Sequence, residues 1–183
     1  MDPHVCPWWL AYTFDHRFRR WVHHPKKLFG NYVVPGMTVV DVGCGLGFNS
    51  LGLAELVGDE GRVIAVDIQQ KLLDGMMKRA RKKGLSHRIS PHLARPGDLA
   101  LNVKAQFMVA FYVVHEVGDP LRWMTQVAGN LAGEGRFMMV EPPFHVSKKG
   151  FDQSIRQAEA SGLILEEQYR IRFGRAAVFR KAL

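Results

Sequence analysis

The chain has only two cysteines, Cys6 and Cys44, among its 183 residues. A disulfide framework needs a larger set, so we expect both thiols to stay reduced. The chain also lacks a long hydrophobic run, since its uncharged apolar stretches are well below the roughly 20 residues that cross a bilayer. The first ten residues do not show the charged and then apolar pattern of a secretion signal. These absences predict a cytoplasmic protein without a transmembrane segment.

Acidic residues are fewer than basic ones, 17 against 25, which gives a net charge of +8. The basic residues are concentrated in two segments, which hold Arg17, Arg19, Arg20, Lys26 and Lys27 in one case and Lys78, Arg79, Arg81, Lys82 and Lys83 in the other. Such clusters can follow the phosphates of RNA or an anionic membrane surface. Because we find neither an aromatic stacking strip nor a separate RNA-binding module, we favour solvated helix faces, and nucleic acid is the less favoured partner.

Internal repeats and low-complexity tracts are also absent, and 47% of the residues are hydrophobic. This composition predicts one domain over residues 1–183 with a single core. The hydrophobic pattern predicts helices at 14–29, 47–57, 69–83, 119–132 and 148–161, and strands at 37–42, 62–67, 88–94, 106–114, 135–141, 163–170 and 173–180. Alternating strands and helices indicate an α/β fold, with a mostly parallel seven-stranded sheet and helices on both faces. The short connection at Phe173 and Gly174 indicates an antiparallel C-terminal hairpin.

Three glycines at alternate positions, Gly43, Gly45 and Gly47, follow an apolar strand that ends near Asp41. Glycine permits positive φ and a close approach of a ligand to the backbone, and the helix that follows offers unpaired N–H groups in its first turn. A cofactor that contains a nucleoside is the natural occupant of such a turn.

Spacing decides which nucleoside cofactor this turn suits. The dinucleotide pattern G-x-G-x-x-G, counted from Gly43, requires glycine where this chain has Phe48. Asp41 would repel a pyrophosphate, but it suits a cofactor with a positive amino group. Asp67 closes the next buried strand twenty residues after Gly47, where an acid can accept hydrogen bonds from both ribose hydroxyls.

The segment from Val39 to Asp67 resembles the cofactor-binding core of class I S-adenosylmethionine-dependent methyltransferases, whose fold is Rossmann-like. The similarity covers about residues 36–141 and is closest to the small-molecule branch that includes quinone-biosynthesis and arsenite enzymes. It implies that the cofactor is S-adenosylmethionine and that it is bound by Asp41, Gly43, Cys44, Gly45, Gly47, Asp67, Ile68 or Gln69, and Asp98. Within that set, the glycines surround the methionine part, Asp41 faces its amino group and Asp67 binds the ribose. Arg95 occupies the position of the family's adenine-binding aspartate, so either Asp98 replaces that acid or backbone groups alone hold the adenine.

Parallel strands place ligands at their carboxyl ends, so the residues that close strands four and five are the candidates for chemistry. They are His115, Glu116, Glu141 and His145. We predict that His115 is a catalytic base or substrate ligand and that Glu116 orients it, because an N–H or O–H acceptor must lose a proton on methylation. The alternative is that His115 bonds to backbone and Glu116 caps the next helix. Glu141 and His145 are weaker candidates for substrate contact.

Two further segments are candidates for acceptor recognition. Trp8, Trp9 and Tyr12 lie in the N-terminal segment, residues 1–30, which related enzymes use as a lid, although these aromatics could equally serve only as packing. Residues 141–144, Glu-Pro-Pro-Phe, resemble the tetrad of nucleic-acid amino methyltransferases, but that tetrad closes strand four rather than five. No metal site is predicted, because His4, Cys6, His115 and His145 lack a diagnostic spacing.

We therefore predict an enzyme that transfers a methyl group from S-adenosylmethionine to a small-molecule acceptor. The alternatives are an RNA methyltransferase and a non-catalytic S-adenosylmethionine-binding protein, while a nicotinamide enzyme is a distant possibility. Residues 36–141 would form the cofactor-binding core, and residues 142–183 the C-terminal helix and hairpin.

Overall fold

The computed structural model of the chain describes residues 24–182. Most of the predicted helix 14–29 lies outside this range, as do Cys6 and the predicted lid aromatics Trp8, Trp9 and Tyr12. The described helices are α1 (Pro25–Phe29), α2 (Phe48–Val57), α3 (Gln70–Lys82), α4 (Pro120–Asn130) and α5 (Lys148–Ala160). The described strands are β1 (Thr38–Val42), β2 (Arg62–Asp67), β3 (Ile89–Leu93), β4 (Ala105–Phe111), β5 (Leu131–Glu141), β6 (Leu163–Ile171) and β7 (Gly174–Lys181).

The strands form a seven-stranded sheet in the order β3-β2-β1-β4-β5-β7-β6. The pairs β1–β2, β2–β3 and β4–β5 are parallel, whereas β7 is antiparallel to both β5 and β6. The predicted fold class, a mostly parallel α/β sheet with an antiparallel C-terminal hairpin, is confirmed. The described residues divide into two compact units, 24–94 and 95–182. A single domain over the whole chain stays a prediction.

In the first unit, β1 and β2 pair in register, with Val40 opposite Ile64 and Asp41 opposite Ala65. Four consecutive residues of β1 and five of β2 are buried. Continuous burial is expected of parallel strands that are covered on both faces, and it explains why these segments are apolar runs rather than alternating patterns. Strand β2 ends in the carboxylate Asp67, and β1 contains the carboxylate Asp41 next to its last residue.

In the second unit, β5 pairs with β4 on one side and with β7 on the other. The core of this unit includes the fully buried rings of Phe107, Phe137 and Phe179. Phe137 stacks with Phe179 at 6.0 Å between ring centroids, across the β5–β7 pair in which the two residues are partners. In the part of the chain that the structure describes, no helix is both long and apolar enough to cross a membrane.

Two predicted strand boundaries were wrong. Strand β4 ends at Phe111 rather than Val114, because Tyr112 adopts a left-handed φ of 64° and Val114–Glu116 form a 3₁₀ turn. Strand β5 begins at Leu131, where the sequence predicted helix and loop up to residue 134. At Gly135 an added Cβ would lie 2.7 Å from the carbonyl oxygen of Ala105, so this irregular start of β5 requires glycine.

Candidate active site

The glycine turn of the first unit is built from three left-handed residues. Gly43, Gly45 and Gly47 have φ values of 68°, 53° and 81°. Cys44 N–H donates to the carbonyl of Val66 at 2.9 Å, and Gly47 N–H donates to the carbonyl of Cys44 at 2.9 Å. Side chains other than glycine rarely adopt this conformation, so the predicted reason for the alternating glycines is confirmed at the backbone level.

Gly45 and Gly47 have different surroundings. A Cβ added at Gly45 would have nothing within 4 Å, so this part of the backbone faces open space. A Cβ at Gly47 would lie 2.3 Å from Cγ of Met76 on α3, so this glycine lets α3 pack against the start of α2. The turn therefore has an approachable side at Gly45 and a packed side at Gly47.

Asp67 connects the carboxyl end of β2 to the glycine turn. Its Oδ2 accepts from Gly45 N–H at 2.9 Å, and its Oδ1 accepts from Gln69 N–H at 2.9 Å. The side chain is buried, and burial raises the pKa of this carboxyl although backbone hydrogen bonds oppose the rise. Each carboxylate oxygen can accept more than one hydrogen bond, so Asp67 can hold the turn and still accept from a ligand.

Asp41 is more deeply buried, at 1% exposure, and its Oδ2 accepts from the hydroxyl of Ser50 on α2 at 2.5 Å. Burial, with the charges of Asp41 and Asp67, raises the pKa of the Cys44 thiol well above its ordinary value. Cys44 is therefore a protonated, packing residue of the turn. Close by on α2, the Oδ1 atom of Asn49 is buried and has no hydrogen-bond partner among the described residues.

The residues predicted to contact adenine are Ile68 and Asp98. Ile68 follows Asp67 directly and is partly buried. Asp98 belongs to the second unit, where its Oδ1 accepts from Ala100 N–H at 2.9 Å and its backbone pairs with that of Arg95. These contacts give Asp98 a local role in a turn, and its part in binding adenine stays a prediction.

In the second unit, His115 is held by a buried carboxylate. Its Nδ1 lies 2.5 Å from Oε2 of Glu141, whose other oxygen accepts from Val114 N–H at 3.0 Å. The Glu141 side chain is 1% exposed and that of His115 is 25% exposed. Because a carboxylate only accepts, Nδ1 carries the proton and Nε2 is the ring nitrogen left to accept one. The hydrogen bond to Glu141 raises the pKa of His115, against the opposing effect of burial.

The acid that orients His115 is thus Glu141, whereas the sequence suggested Glu116. The charge of Glu116 makes a minor contribution to the raised pKa of His115. Glu116 does not cap the next helix either, since the N-cap of α4 is Asp119, which accepts from Arg122 N–H at 3.1 Å. His145 lies with its ring parallel to that of His115, at 5.9 Å between centroids, and beside the exposed Phe144.

Three features of these two sites were missed by the sequence reasoning: the Ser50 contact to Asp41, the pairing of Glu141 with His115, and the strained Tyr112. Tyr112 donates its hydroxyl to the carbonyl of Phe173 at 2.5 Å. Ser50 could have been found, because a hydroxyl nine residues after a buried acid falls on the first turns of the following helix. The other two depend on tertiary packing and leave no local pattern.

A sequence model described as a methyltransferase domain matches residues 34–169, which is most of the chain and spans both units. The chain belongs to the methyltransferase domain family. With the fold, this match confirms the predicted class I S-adenosylmethionine-dependent methyltransferase family, in which S-adenosylmethionine is the methyl donor.

Individual relatives are more distant. The ribosomal protein L11 methyltransferase of Aeromonas hydrophila is 35% identical over 101 residues, covering 55% of this chain and 31% of that protein. The ubiquinone/menaquinone biosynthesis C-methyltransferase UbiE of Shewanella sp. (strain W3-18-1) is 35% identical over 75 residues, covering 41% of this chain and 28% of that protein. The chain therefore spans about a third of the length of these relatives.

Among solved structures, a SAM-dependent methyltransferase from Aquifex aeolicus superposes with a TM-score of 0.88 at 18% identity, covering 97% of this chain and 100% of that one. At this identity the likeness shows the fold alone.

The residues of this methyltransferase domain fit the donor of the family. A ribose and a charged amino-acid moiety require backbone that is open to approach, as at Gly45, and free acceptor capacity, as on Asp67. They also suit the buried Oδ1 of Asn49, which has no partner within residues 24–182. S-adenosylmethionine would supply an electrophilic methyl group on its sulfonium. The individual roles of Asp41, Gly43, Cys44 and Ile68 toward it stay predictions.

Proposed function

We propose that this protein transfers the methyl group of S-adenosylmethionine to a small-molecule acceptor and that His115 receives the proton the acceptor loses. The observation that carries the proposal is the contact between His115 Nδ1 and the buried Glu141. It fixes the tautomer in which Nε2 is free to accept. The relationship to UbiE, a C-methyltransferase of quinone biosynthesis by its name, supports the small-molecule class.

Methyl transfer has two requirements that the chain must meet. An acceptor lone pair must be held in line with the methyl group, and the acceptor proton must leave as the new bond forms. The neutral imidazole of His115 takes that proton at Nε2, and the Glu141 carboxylate stabilises the resulting imidazolium. Since the pKa of His115 is raised, more of the residue is protonated at a given pH, and the rate should increase as the pH rises through that pKa.

Donor binding is tested by calorimetry with S-adenosylmethionine. We expect saturable binding by the wild-type chain and strongly weakened binding by Asp67→Ala, since the carboxylate holds both the turn and the ligand. Absence of binding at high micromolar concentration, or equal binding by the variant, would refute the donor half of the proposal.

Acceptor class is tested with labelled donor and a fractionated cell extract. Label in the low-molecular-weight fraction is the expected result. A protein acceptor is the second candidate, because one relative is named a ribosomal protein L11 methyltransferase, and it would put the label in the protein fraction. Label in RNA would support an RNA methyltransferase. Donor binding without transfer to any fraction would support a non-catalytic binding protein.

A further inference from the structure

A small pocket lined by three cationic side chains lies in the second unit. Lys148, Arg170 and Arg175 line it together with Gln168 and Tyr169, around a volume of about 220 Å³. Within the described residues, none of the three cations takes part in an ion pair. We call these three residues the cationic pocket.

Two of its charges face each other across a strand pair. Arg170 on β6 and Arg175 on β7 are direct partners in the antiparallel register. Side chains at such positions share one face of the sheet with their Cβ atoms about 5 Å apart, and like charges placed there destabilise the pair. An anion between the two guanidinium groups would remove that cost.

The third charge is also placed against local preference. Lys148 is the first residue of the thirteen-residue helix α5, whose first turn contains no acid. The positive end of a helix disfavours cations. Arg175 is oriented by donating from Nη1 to the carbonyl of Val146 at 2.7 Å, which leaves its other N–H groups available. The like-charge pair Arg170–Arg175 and the cation Lys148 at a helix N-terminus therefore lie in one concave site. Locally unfavourable arrangements of this kind are expected at functional sites.

We propose that the cationic pocket binds an acid group, phosphate or carboxylate, of a small molecule. Its volume is below that of a pocket for a whole drug-sized ligand and suits one such group. Resting on the proposed function, we assign this group to the methyl acceptor, because Arg175 on β7 is also the register partner of Glu141 on β5, which holds His115. The acceptor is thus an anionic metabolite whose acid group lies near the proton-accepting histidine.

Phosphate binding is tested by following backbone amide resonances while inorganic phosphate is added to the full chain at constant ionic strength, with malonate as the carboxylate arm. We expect saturable shifts at residues 148–150 and 168–175. The double variant Lys148→Gln, Arg170→Gln should weaken binding about tenfold or more, since charge-assisted hydrogen bonds are the strong ones. The arm with the lower dissociation constant identifies the acid group.

Lys149→Gln is the matched control, since it removes the same charge from the same helix turn outside the pocket. We expect its phosphate affinity to stay close to the wild-type value. Shifts that do not saturate, or an equal loss of affinity in the control, would show that the charges only protect the edge strand β6 from pairing and would overturn the proposal. Tighter binding of RNA than of either small anion would also overturn it.

The assignment to the acceptor has a separate readout. The labelled product of the extract experiment should be retained by an anion-exchange resin, and its yield should fall in the double variant but not in Lys149→Gln. A labelled product that is not retained, or whose yield is unchanged, refutes the assignment. Transfer to no fraction at all refutes the proposed function, and saturable phosphate binding would then still stand on its own.

Discussion

Gly45 and Gly47 have the same left-handed backbone but different neighbours, and this difference is testable. Alanine at either position costs about 1–2 kcal/mol, because its Cβ disfavours the left-handed conformation. We expect Gly45→Ala to fold and to lose donor binding, because its methyl group would occupy the open approach to the turn. Gly47→Ala should be destabilised further by the overlap with Met76. Calorimetry and urea denaturation measure the two effects.

The control for this pair is Gly84→Ala. Gly84 has φ +70° and no atom within 4 Å of an added Cβ, so the strain is matched without a site nearby. Its donor affinity should equal that of the wild-type chain. Equal affinities for Gly84→Ala and Gly45→Ala would contradict an approach of the ligand at Gly45.

The His115–Glu141 pair predicts a pH dependence. Glu141→Gln should lower the pKa of His115, because the hydrogen-bonded charge that raises it is removed while burial, which lowers it, remains. An NMR titration of the His115 ring measures this shift. The acid limb of the pH–rate profile should move to lower pH, and the plateau rate should fall about 10²-fold as the ring loses its orienting charge. Glu159→Gln, on the exposed face of α5, is the control.

The same pair links stability to pH. Since the folded pKa of His115 is raised, the pair stabilises the fold fully below the unfolded pKa, and this contribution is lost as the pH rises through the folded pKa. Denaturation of wild type and Glu141→Gln across that window should show the dependence only in the wild-type chain. A parallel dependence in both would contradict the pairing.

These residues also show where sequence reasoning reaches its limit. The turn glycines and Asp67 could be predicted, because a left-handed turn and a strand-ending acid leave a local signature. The orienting acid of His115 could not, since Glu141 lies 26 residues away and reaches the ring only through the β4–β5 pairing. Glu116 was favoured because it is adjacent in sequence, and adjacent side chains seldom point at one another.

At the level of elements, helix α4 anchors the loop that precedes β4. Gln126 accepts from Leu99 N–H at 2.8 Å and donates to the carbonyl of Gly97 at 2.9 Å, while Asn130 accepts from Val103 N–H at 3.0 Å. Two amides one helical turn apart therefore fix the path of the segment that contains Asp98.

Gln126→Ala should lower the free energy of unfolding by about 1–3 kcal/mol, because both loop contacts are lost. Gln153→Ala, at an exposed position of α5, gives the effect of the same substitution on helix propensity alone. Urea denaturation compares the two variants. A loss in Gln126→Ala no larger than in the control would mean that the amide does not hold the loop.

Element positions were largely predictable because buried parallel strands are apolar runs and the helices between them are amphipathic. The boundaries of β2 agree with the prediction at both ends. The predicted start of β5 was wrong, because Gly133, Glu134 and Gly135 interrupt the apolar pattern where the β4–β5 register is irregular. A close backbone contact, rather than side-chain hydrophobicity, sets that part of the strand.

For the molecule as a whole, the charge of +8 raises the question of nucleic acid. Part of the basic cluster at residues 78–83 has a structural use. Arg79 donates to the carbonyl of Leu46 in the glycine turn at 3.2 Å, and Lys83 pairs with Glu55 at 3.3 Å. The remaining cations, Lys78, Arg81 and Lys82, lie on the exposed face near the carboxyl end of α3, where cations suit the helix dipole. These contacts and the helix dipole account for the cluster without a phosphate partner.

Replacing Lys78, Arg81 and Lys82 together by Gln tests this interpretation. We expect donor affinity and the labelled small-molecule product to be unchanged, because Arg79 and Lys83 keep their contacts. Fluorescence anisotropy with a single-stranded RNA should show weak binding that falls steeply between roughly 50 and 200 mM salt, as expected of non-specific phosphate contacts, and that weakens further in the variant. RNA binding that persists at the higher salt, together with a loss of methyl transfer in the variant, would instead make RNA the acceptor. Because donor binding is measured separately, that outcome would change the assigned acceptor and leave the methyltransferase family intact.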